Sequence, residues 1–391
     1  MDPVSDRLTI LHVAQPGSGG VAAVVLDLVR AQRADGHEAV VACPKDTPLA
    51  CRLAQAGIAV EPWAAARAPG PGLPGETRRL RRIIRRRQPD VLHLHSSKAG
   101  LAGRLAVRGR IPTLFQPHAW SFVAVDGAMR AASLEWERLA ARWADRVVCV
   151  SEQERDVAER NSVRARFHVV PNGIDVERFQ PGDRAAARAS APIAAMGLRP
   201  QAPLVVCLGR LCRQKGQDVL LAAWGRVLEQ VGTARLALVG DGPETDRVRS
   251  LIAADRRLAG VFVSGAAEDP RPWYHAAHLV VLPSRWEGMA LVPLEAAACG
   301  RRVVASDVAG VRESLPPERE SWSVVAPDDP SALADAMAAA LQDLARDPLA
   351  WAAAERKAVA YARAEHDFAR TARDIARIYV HTLTARRQVT G

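Results

Sequence analysis

Two glutamates, Glu287 and Glu295, stand with seven residues between them in the run Ser284-Arg285-Trp286-Glu287-Gly288-Met289-Ala290-Leu291-Val292-Pro293-Leu294-Glu295. The apolar residues 279–283 before it read as a strand, and residues 292–299, closed by Gly300, read as a short helix. Proline is tolerated in a helix only in the first turn, so Pro293 puts the helix start near Val292. Glu287 then lies in the loop and Glu295 one turn inside the helix. The backbone N–H groups of Gly288, Met289, Ala290 and Leu291 fall at the helix N-terminus, where unpaired donors and the helix dipole attract anions. A carboxylate on each side of an anion pocket suits a ligand with a phosphate centre and hydroxyl-rich flanks, as in a nucleotide sugar. Two glutamates at this spacing alone would be mostly chance, so the reading depends on the flanking pattern and on further segments.

One such segment is Leu208-Gly209-Arg210-Leu211-Cys212-Arg213-Gln214-Lys215-Gly216, which follows another apolar run and precedes a helix. Arg210 and Lys215 are cations placed where a diphosphate would sit, the arginine able to grip with two parallel hydrogen bonds and the lysine acting as a point charge. Another is Pro16-Gly17-Ser18-Gly19-Gly20, again between a strand and a helix. It lacks the lysine of a nucleotide-triphosphate loop and the full glycine fingerprint of a dinucleotide fold. His118 ends a strand through Phe115-Gln116-Pro117, and His93 and His95 share one strand face before Ser96-Ser97-Lys98-Ala99-Gly100. A histidine pair could hold a metal, but the sequence shows no third ligand nearby, so no metal site is expected.

Together these segments resemble the retaining family-4 glycosyltransferases of the GT-B fold. The resemblance covers nearly the whole chain. It is densest from Gly209 to Glu313 and weakest over residues 60–87 and after Asp328. It implies a nucleotide-sugar donor, with a preference for a uridine nucleotide. Glu295 would bind ribose, Glu287 the sugar hydroxyls, and Arg210 and Lys215 the diphosphate. Gly288, Met289, Ala290 and Leu291 would add donors there, Val263 would lie by the nucleobase, and Gly19 and Gly20 would approach the donor. His118 would lie by the sugar ring, and His95, Ser96 and Lys98 would border the acceptor. Two positions depart from the family pattern: His278 stands where an aspartate is usual, and Arg302 where a proline is usual.

The elements that must position these groups are legible as alternation. Apolar runs at 8–14, 38–43, 91–95, 113–118, 147–151 and 168–172, then at 204–209, 235–240, 261–265, 279–283, 302–306 and 324–326, alternate with helical segments. That pattern predicts two doubly wound parallel sheets, whose ligands bind beyond the carboxyl ends of the strands. The expected architecture is α/β, two Rossmann-like domains facing across a cleft. Domain one spans residues 1–185, joined by the terminal helix at about 367–391. Domain two spans 186–366.

Length and composition agree. The chain has 391 residues, too many for one ordinary core. The first apolar run is too short for a signal peptide, and no stretch approaches a membrane span. Six cysteines form no Cys-x-x-Cys pair and read as thiols in a reducing cytoplasm. Net charge is +10, and Arg78, Arg79, Arg81, Arg82, Arg85, Arg86 and Arg87 supply much of the positive charge. With Leu80, Ile83 and Ile84 on one face, residues 78–87 read as an amphipathic helix with a solvated arginine face. The functional alternative for that face is peripheral contact with anionic lipid. Nucleic acid is not an expected partner, because no aromatics interleave with the arginines.

The reading is a metal-independent, cofactor-free retaining glycosyltransferase of the hexosyl or N-acetylhexosaminyl type. Its acceptor would be a glycan, a lipid-linked sugar or a small metabolite. The rivals are an epimerase or hydrolase acting on nucleotide sugars, a non-catalytic nucleotide-sugar-binding protein, and a nicotinamide oxidoreductase disfavoured by the incomplete glycine fingerprint.

Overall fold

The computed structural model describes residues 7–317 and 322–390, with side chains described to residue 388. The chain divides into two compact units. One runs to Asn172 and resumes at Phe368; the other is Gly173–Asp367.

The first unit holds seven parallel strands: β1 (Thr9–Ala14), β2 (Glu38–Cys43), β3 (Val60–Pro62), β4 (Val91–His95), β5 (Thr113–Gln116), β6 (Arg146–Cys149) and β7 (Phe167–Val169). Their order is β3-β2-β1-β4-β5-β6-β7. The sheet reverses its winding between β1 and β4, the kind of place where open parallel sheets bind ligands. The short edge strand β3 escaped the sequence pattern, because three residues ending in proline carry no alternation. The helix Leu73–Arg87 turns Leu80, Ile83 and Ile84 into the core beside Trp63 and Val107, as the amphipathic pattern predicts.

The helix Phe368–Thr390 covers the other sheet face. Ile375, Ile378 and Tyr379 are nearly fully buried against Leu8, Ile10, Leu28, Val91 and Leu114. Each such side chain contributes on the order of 2 kcal/mol. Arg386 closes the helix end on the Asp145 carboxylate, at 2.8 Å to each oxygen.

The second unit holds β8 (Leu204–Leu208), β9 (Arg235–Val239), β10 (Val261–Gly265), β11 (Leu279–Leu282), β12 (Arg302–Ser306) and β13 (Trp322–Val325), in the order β10-β9-β8-β11-β12-β13, all parallel. Its reversal lies between β8 and β11. The helices Gln217–Gln230 and Pro330–Arg346 bury Leu220, Trp224, Met337 and Leu341 on one face. His278 accepts from the Leu204 N–H at 3.1 Å and pairs with Arg188 at 3.1 Å, which gives this departure from the family pattern a structural role. Arg302, the other departure, lies over the Trp351 ring at 4.3 Å. Among the described residues no helix is long and apolar enough to cross a membrane.

Parallel pairing sets His12 of β1 opposite His93 of β4, and His95 of β4 opposite Gln116 of β5. His12, His93 and His95 are fully buried, and His118 follows two residues beyond β5. Burial pushes His12 down to about 4 and His118 to about 3, and it holds His93 and His95 well below the ordinary imidazole range. The unfolded chain takes up these protons as pH falls through about 6.5. The folded chain does not, so the stability present above pH 6.5 drains away toward the lower folded values. Each histidine contributes a slope of about 1.4 kcal/mol per pH unit in that window. We expect the urea midpoint of the first unit's unfolding to fall steeply between pH 6.5 and 4.5, above the usual carboxylate range. A flat midpoint down to pH 5 would show that these rings are not held neutral.

Candidate active site

In the second unit, pairing of β8 with β11 brings two loops together at the winding reversal: Gly209–Gly216 after β8 and Pro283–Ala290 after β11. Their backbones touch. A Cβ on Gly216, whose φ is +64°, would stand 2.0 Å from the Pro283 carbonyl oxygen, so only glycine fits there. Likewise a Cβ on Gly310 would meet the Gly288 carbonyl at 2.2 Å, which fixes the loop before the glutamate helix from its far side.

The geometry joins Lys215 to Glu287. The lysine Nζ lies 2.5 Å from Glu287 Oε1, which also accepts from the Ser284 hydroxyl at 2.7 Å. Gln214 Nε2 donates to the Trp286 carbonyl at 3.0 Å and reaches Glu287 Oε2 at 3.4 Å. Glu287 is 9% exposed, so this carboxylate is held by partners rather than by water. Arg210 is half-buried nearby in the chain, its side chain close to Gly242, and among the described residues its guanidinium makes no hydrogen bond or ion pair. The pocket edge therefore carries one cation neutralised by a carboxylate and one that is not.

The helix begins at Leu291, one residue earlier than expected, and runs to Ala298. Ala290 is its N-cap, and its own side chain makes no cap bond. Glu295 sits one turn in and is half-buried. It accepts from the Tyr274 hydroxyl at 2.5 Å. Burial and that carboxylate push the Tyr274 hydroxyl well above its ordinary range, so it stays a donor. Val263 is the middle residue of the edge strand β10, partly buried against the core.

Sequence reasoning missed the clamp that holds these loops. Arg285 grips Asp218 with two bonds of 2.9 and 3.0 Å, reaches Asp328 at 2.6 Å and donates to the Arg213 carbonyl at 2.8 Å. Burial would raise the Asp218 carboxyl, but the Arg285 bonds overcome it and hold it below the usual range. Asp218 and Asp328 lie 67 and 43 residues away in sequence, so no local charge pattern betrays the clamp. Tyr274 was missed for the same reason.

In the first unit, Gly19 and Gly20 are exposed at the start of the helix Gly19–Ala34, Gly19 with φ +76° and open space around it. His118 and Ala119 take φ of +53° and +92°, a left-handed turn that side chains resist. Buried Glu154 holds it: its two oxygens accept from the Ala119 N–H at 2.6 Å and the Val150 N–H at 2.7 Å. The sequence carries a signal for this in Ser151-Glu152-Gln153-Glu154, the helix-opening pattern in which the fourth residue turns back on the preceding backbone.

Of the expected acceptor residues, His95 and Lys98 are internal here and Ser96 is half-buried. Lys98, 3% exposed, pairs with Glu76 at 2.6 Å and donates to the Ala68 carbonyl, tying down the 63–72 segment rather than standing open to a ligand. Ser96 donates to the Gln15 carbonyl. His95 is enclosed between His12 and His118. The reasoning that found no third ligand for the His93 and His95 pair is corrected as well. His12 arrives from β1, and one ring nitrogen of each of the three lies within 4.8 Å of the others, close enough to hold a metal ion.

Residues 18–178 match the family described as Glycosyltransferase Family 4, and residues 202–343 match Glycosyl transferases group 1. The D-inositol 3-phosphate glycosyltransferase 1 of Catenulispora acidiphila is 34% identical over 66% of this chain and 65% of its own length. The chain thus spans just under two thirds of that relative. The alpha-maltose-1-phosphate synthase of Mycolicibacterium smegmatis is 32% identical over 66% of this chain and 70% of its own. Among solved structures, Anabaena HepE, crystallised with UDP and glucose, superposes with a TM-score of 0.81 at 23% identity, covering 95% of this chain and 99% of that one, a likeness of fold. Two parallel Rossmann-like sheets, the loop chemistry at their reversals and these matches over both halves agree: the chain belongs to the family-4, group 1 glycosyltransferases of the GT-B fold.

Proposed function

We propose that the chain is a retaining glycosyltransferase. It moves a hexosyl or N-acetylhexosaminyl group from a nucleotide sugar, with UDP as the expected nucleotide, to a hydroxyl of a glycan, lipid-linked or small-metabolite acceptor. The observation that carries the reading is the joined loop pair of the second unit. Lys215 is locked to Glu287 at 2.5 Å, beside the helix start at Leu291 and beside Arg210, whose guanidinium makes no hydrogen bond or ion pair among the described residues. Preorganised donors aimed at a departing phosphate act where negative charge develops in the transition state.

In this reading Arg210 and Lys215 receive the diphosphate, and Glu287 holds sugar hydroxyls while orienting Lys215. Glu295 takes the ribose. A carboxylate accepts about four hydrogen bonds, so the Tyr274 bond orients it without exhausting it. As the bond from the anomeric carbon to the phosphate oxygen breaks, the acceptor oxygen bonds to that carbon from the same side. The departing phosphate takes the acceptor's proton. His118 is the first-unit group assigned to the sugar, and Gly19 and Gly20 the backbone assigned to the donor. The Arg210 charge, the N–H donors of Lys215 and the helix start meet the phosphate, so no metal enters the proposal. With a lipid-linked acceptor, the exposed arginines of the helix Leu73–Arg87 would meet anionic headgroups.

Three outcomes are expected. Arg210→Ala and Glu295→Ala each weaken UDP binding by roughly 1.5–3 kcal/mol, about tenfold or more, read by calorimetry. Arg210→Ala leaves the melting temperature unchanged, because that guanidinium makes no hydrogen bond or ion pair among the described residues. Lys215→Ala instead loses both affinity and stability, the latter by on the order of 3 kcal/mol, because it strands Glu287 in a buried site. Unchanged affinity in all three variants would remove the site from these loops.

Second, turnover survives excess EDTA; complete loss restored by magnesium or manganese would mean that the phosphates need a metal. Third, proton NMR of the product shows the donor's own anomeric configuration. A β-linked product from an α-linked donor would assign the chain to inversion.

A further inference from the structure

Three histidines of the first unit form one hydrogen-bonded line with a glutamine at its head, and a fourth joins that glutamine through a tyrosine. Gln32, on the inner face of the helix Gly19–Ala34, meets His12 Nε2 through its Oε1 at 2.7 Å. His12 Nδ1 lies 3.0 Å from His95 Nε2, with the two ring planes 19° from parallel. His95 Nδ1 lies 3.2 Å from His118 Nε2. A second branch leaves Gln32 the other way: its Nε2 donates to the Tyr379 hydroxyl at 3.1 Å, and that hydroxyl lies 2.7 Å from His93 Nδ1. Gln32, His12, His93, His95 and Tyr379 are all 4% exposed or less.

A neutral imidazole has one N–H and one lone pair. In a line of such rings the direction of one bond therefore sets every other. The Gln32 amide sets it. Its Nε2 donates to the Tyr379 hydroxyl oxygen, so its Oε1 is the atom turned to His12 Nε2. An amide oxygen only accepts. The Tyr379 O–H is then left to donate to His93 Nδ1. From there the order is forced: His12 Nε2–H donates to Gln32, His95 Nε2–H donates to His12 Nδ1, and His118 Nε2–H donates to His95 Nδ1.

The geometry points to Gln32, His12 and His95 as positioning residues that hold His118 in its Nε2–H tautomer, so that the nitrogen it offers a ligand, Nδ1, is an acceptor for a sugar hydroxyl. The low proton affinity that burial gives all four rings keeps the line neutral at physiological pH. The Glu154-held turn fixes the backbone of His118 while the line fixes its protons. The part of this that concerns a sugar rests on the glycosyltransferase reading above; the part that concerns the tautomer does not.

The test uses the full chain labelled with 15N histidine, read by long-range proton–nitrogen NMR at pH 7.5. In the unmodified protein, His118 should show a protonated Nε2 and an unprotonated Nδ1. Gln32→Met and His12→Phe, which each break the line, should give His118 a mixture of both tautomers. Gln32→Glu, which keeps an acceptor on His12, should restore the single form. Both line-breaking variants should lose roughly tenfold in kcat with UDP affinity unchanged. An Nδ1-protonated His118 in the unmodified protein overturns the proposal, and this needs no variant to fold. So does a single Nε2–H form in both line-breaking variants. A tautomer that scrambles with no change in kcat would leave the line standing and remove His118 from the sugar site.

Discussion

Parallel pairing of β8 with β11 brings together, at the carboxyl end of the sheet, two loops that lie some seventy residues apart in sequence. Parallel neighbours need a crossover between them, so the chain must leave after β8, build two more strands and return. The loops that meet at that reversal therefore come from distant stretches, and their contact is a property of the whole sheet. Gly216 against Pro283 sets how near the backbones come. That distance then lets Lys215 reach Glu287, and the Arg285 clamp keeps both loops in place. Remove the strand pairing and none of these groups has a partner.

The first unit solves a different problem. Its sheet is covered on both faces, yet it buries histidines, a lysine, an arginine and several acids. Each has a named partner: Lys98 with Glu76, Arg104 with Glu137 at 2.8 Å, and the histidine line with Gln32 and Tyr379. Buried polar groups are tolerated when fully bonded and are costly otherwise. These interactions run between elements: Glu76 and Lys98 join two helices, and Tyr379 joins the terminal helix to the central strand. They select one arrangement of the unit, where apolar contacts alone would allow several.

The sequence made most of this fold legible, because strands buried on both faces read as continuous apolar runs and the loops that follow them carry glycine, proline and charge. The loop groups Arg210, Lys215, Glu287 and Glu295 were visible because their spacing along the chain is fixed by local turns. Partners set by tertiary geometry were not. Tyr274, the Arg285 clamp and His12 have ordinary neighbours in sequence and acquire meaning only in register with distant strands. The same limit explains Lys98. Its surroundings in sequence mark it as a ligand-side cation, while the fold brings Glu76 to it from the preceding helix. Strand β3 was hidden for a simpler reason, since three residues at a sheet edge carry too little pattern to read.

The terminal helix sets an order in time. Phe368–Thr390 completes the first unit but is made only after every residue of the second. During synthesis, which proceeds at about 5–20 residues per second, the first unit waits on the order of ten seconds or more with Ile10, Val91 and Leu114 uncovered. Through that interval His93 has no tyrosine and the second unit can close on its own. The nascent chain therefore carries an exposed apolar face for most of its production, and the protons along the histidines find their final places last.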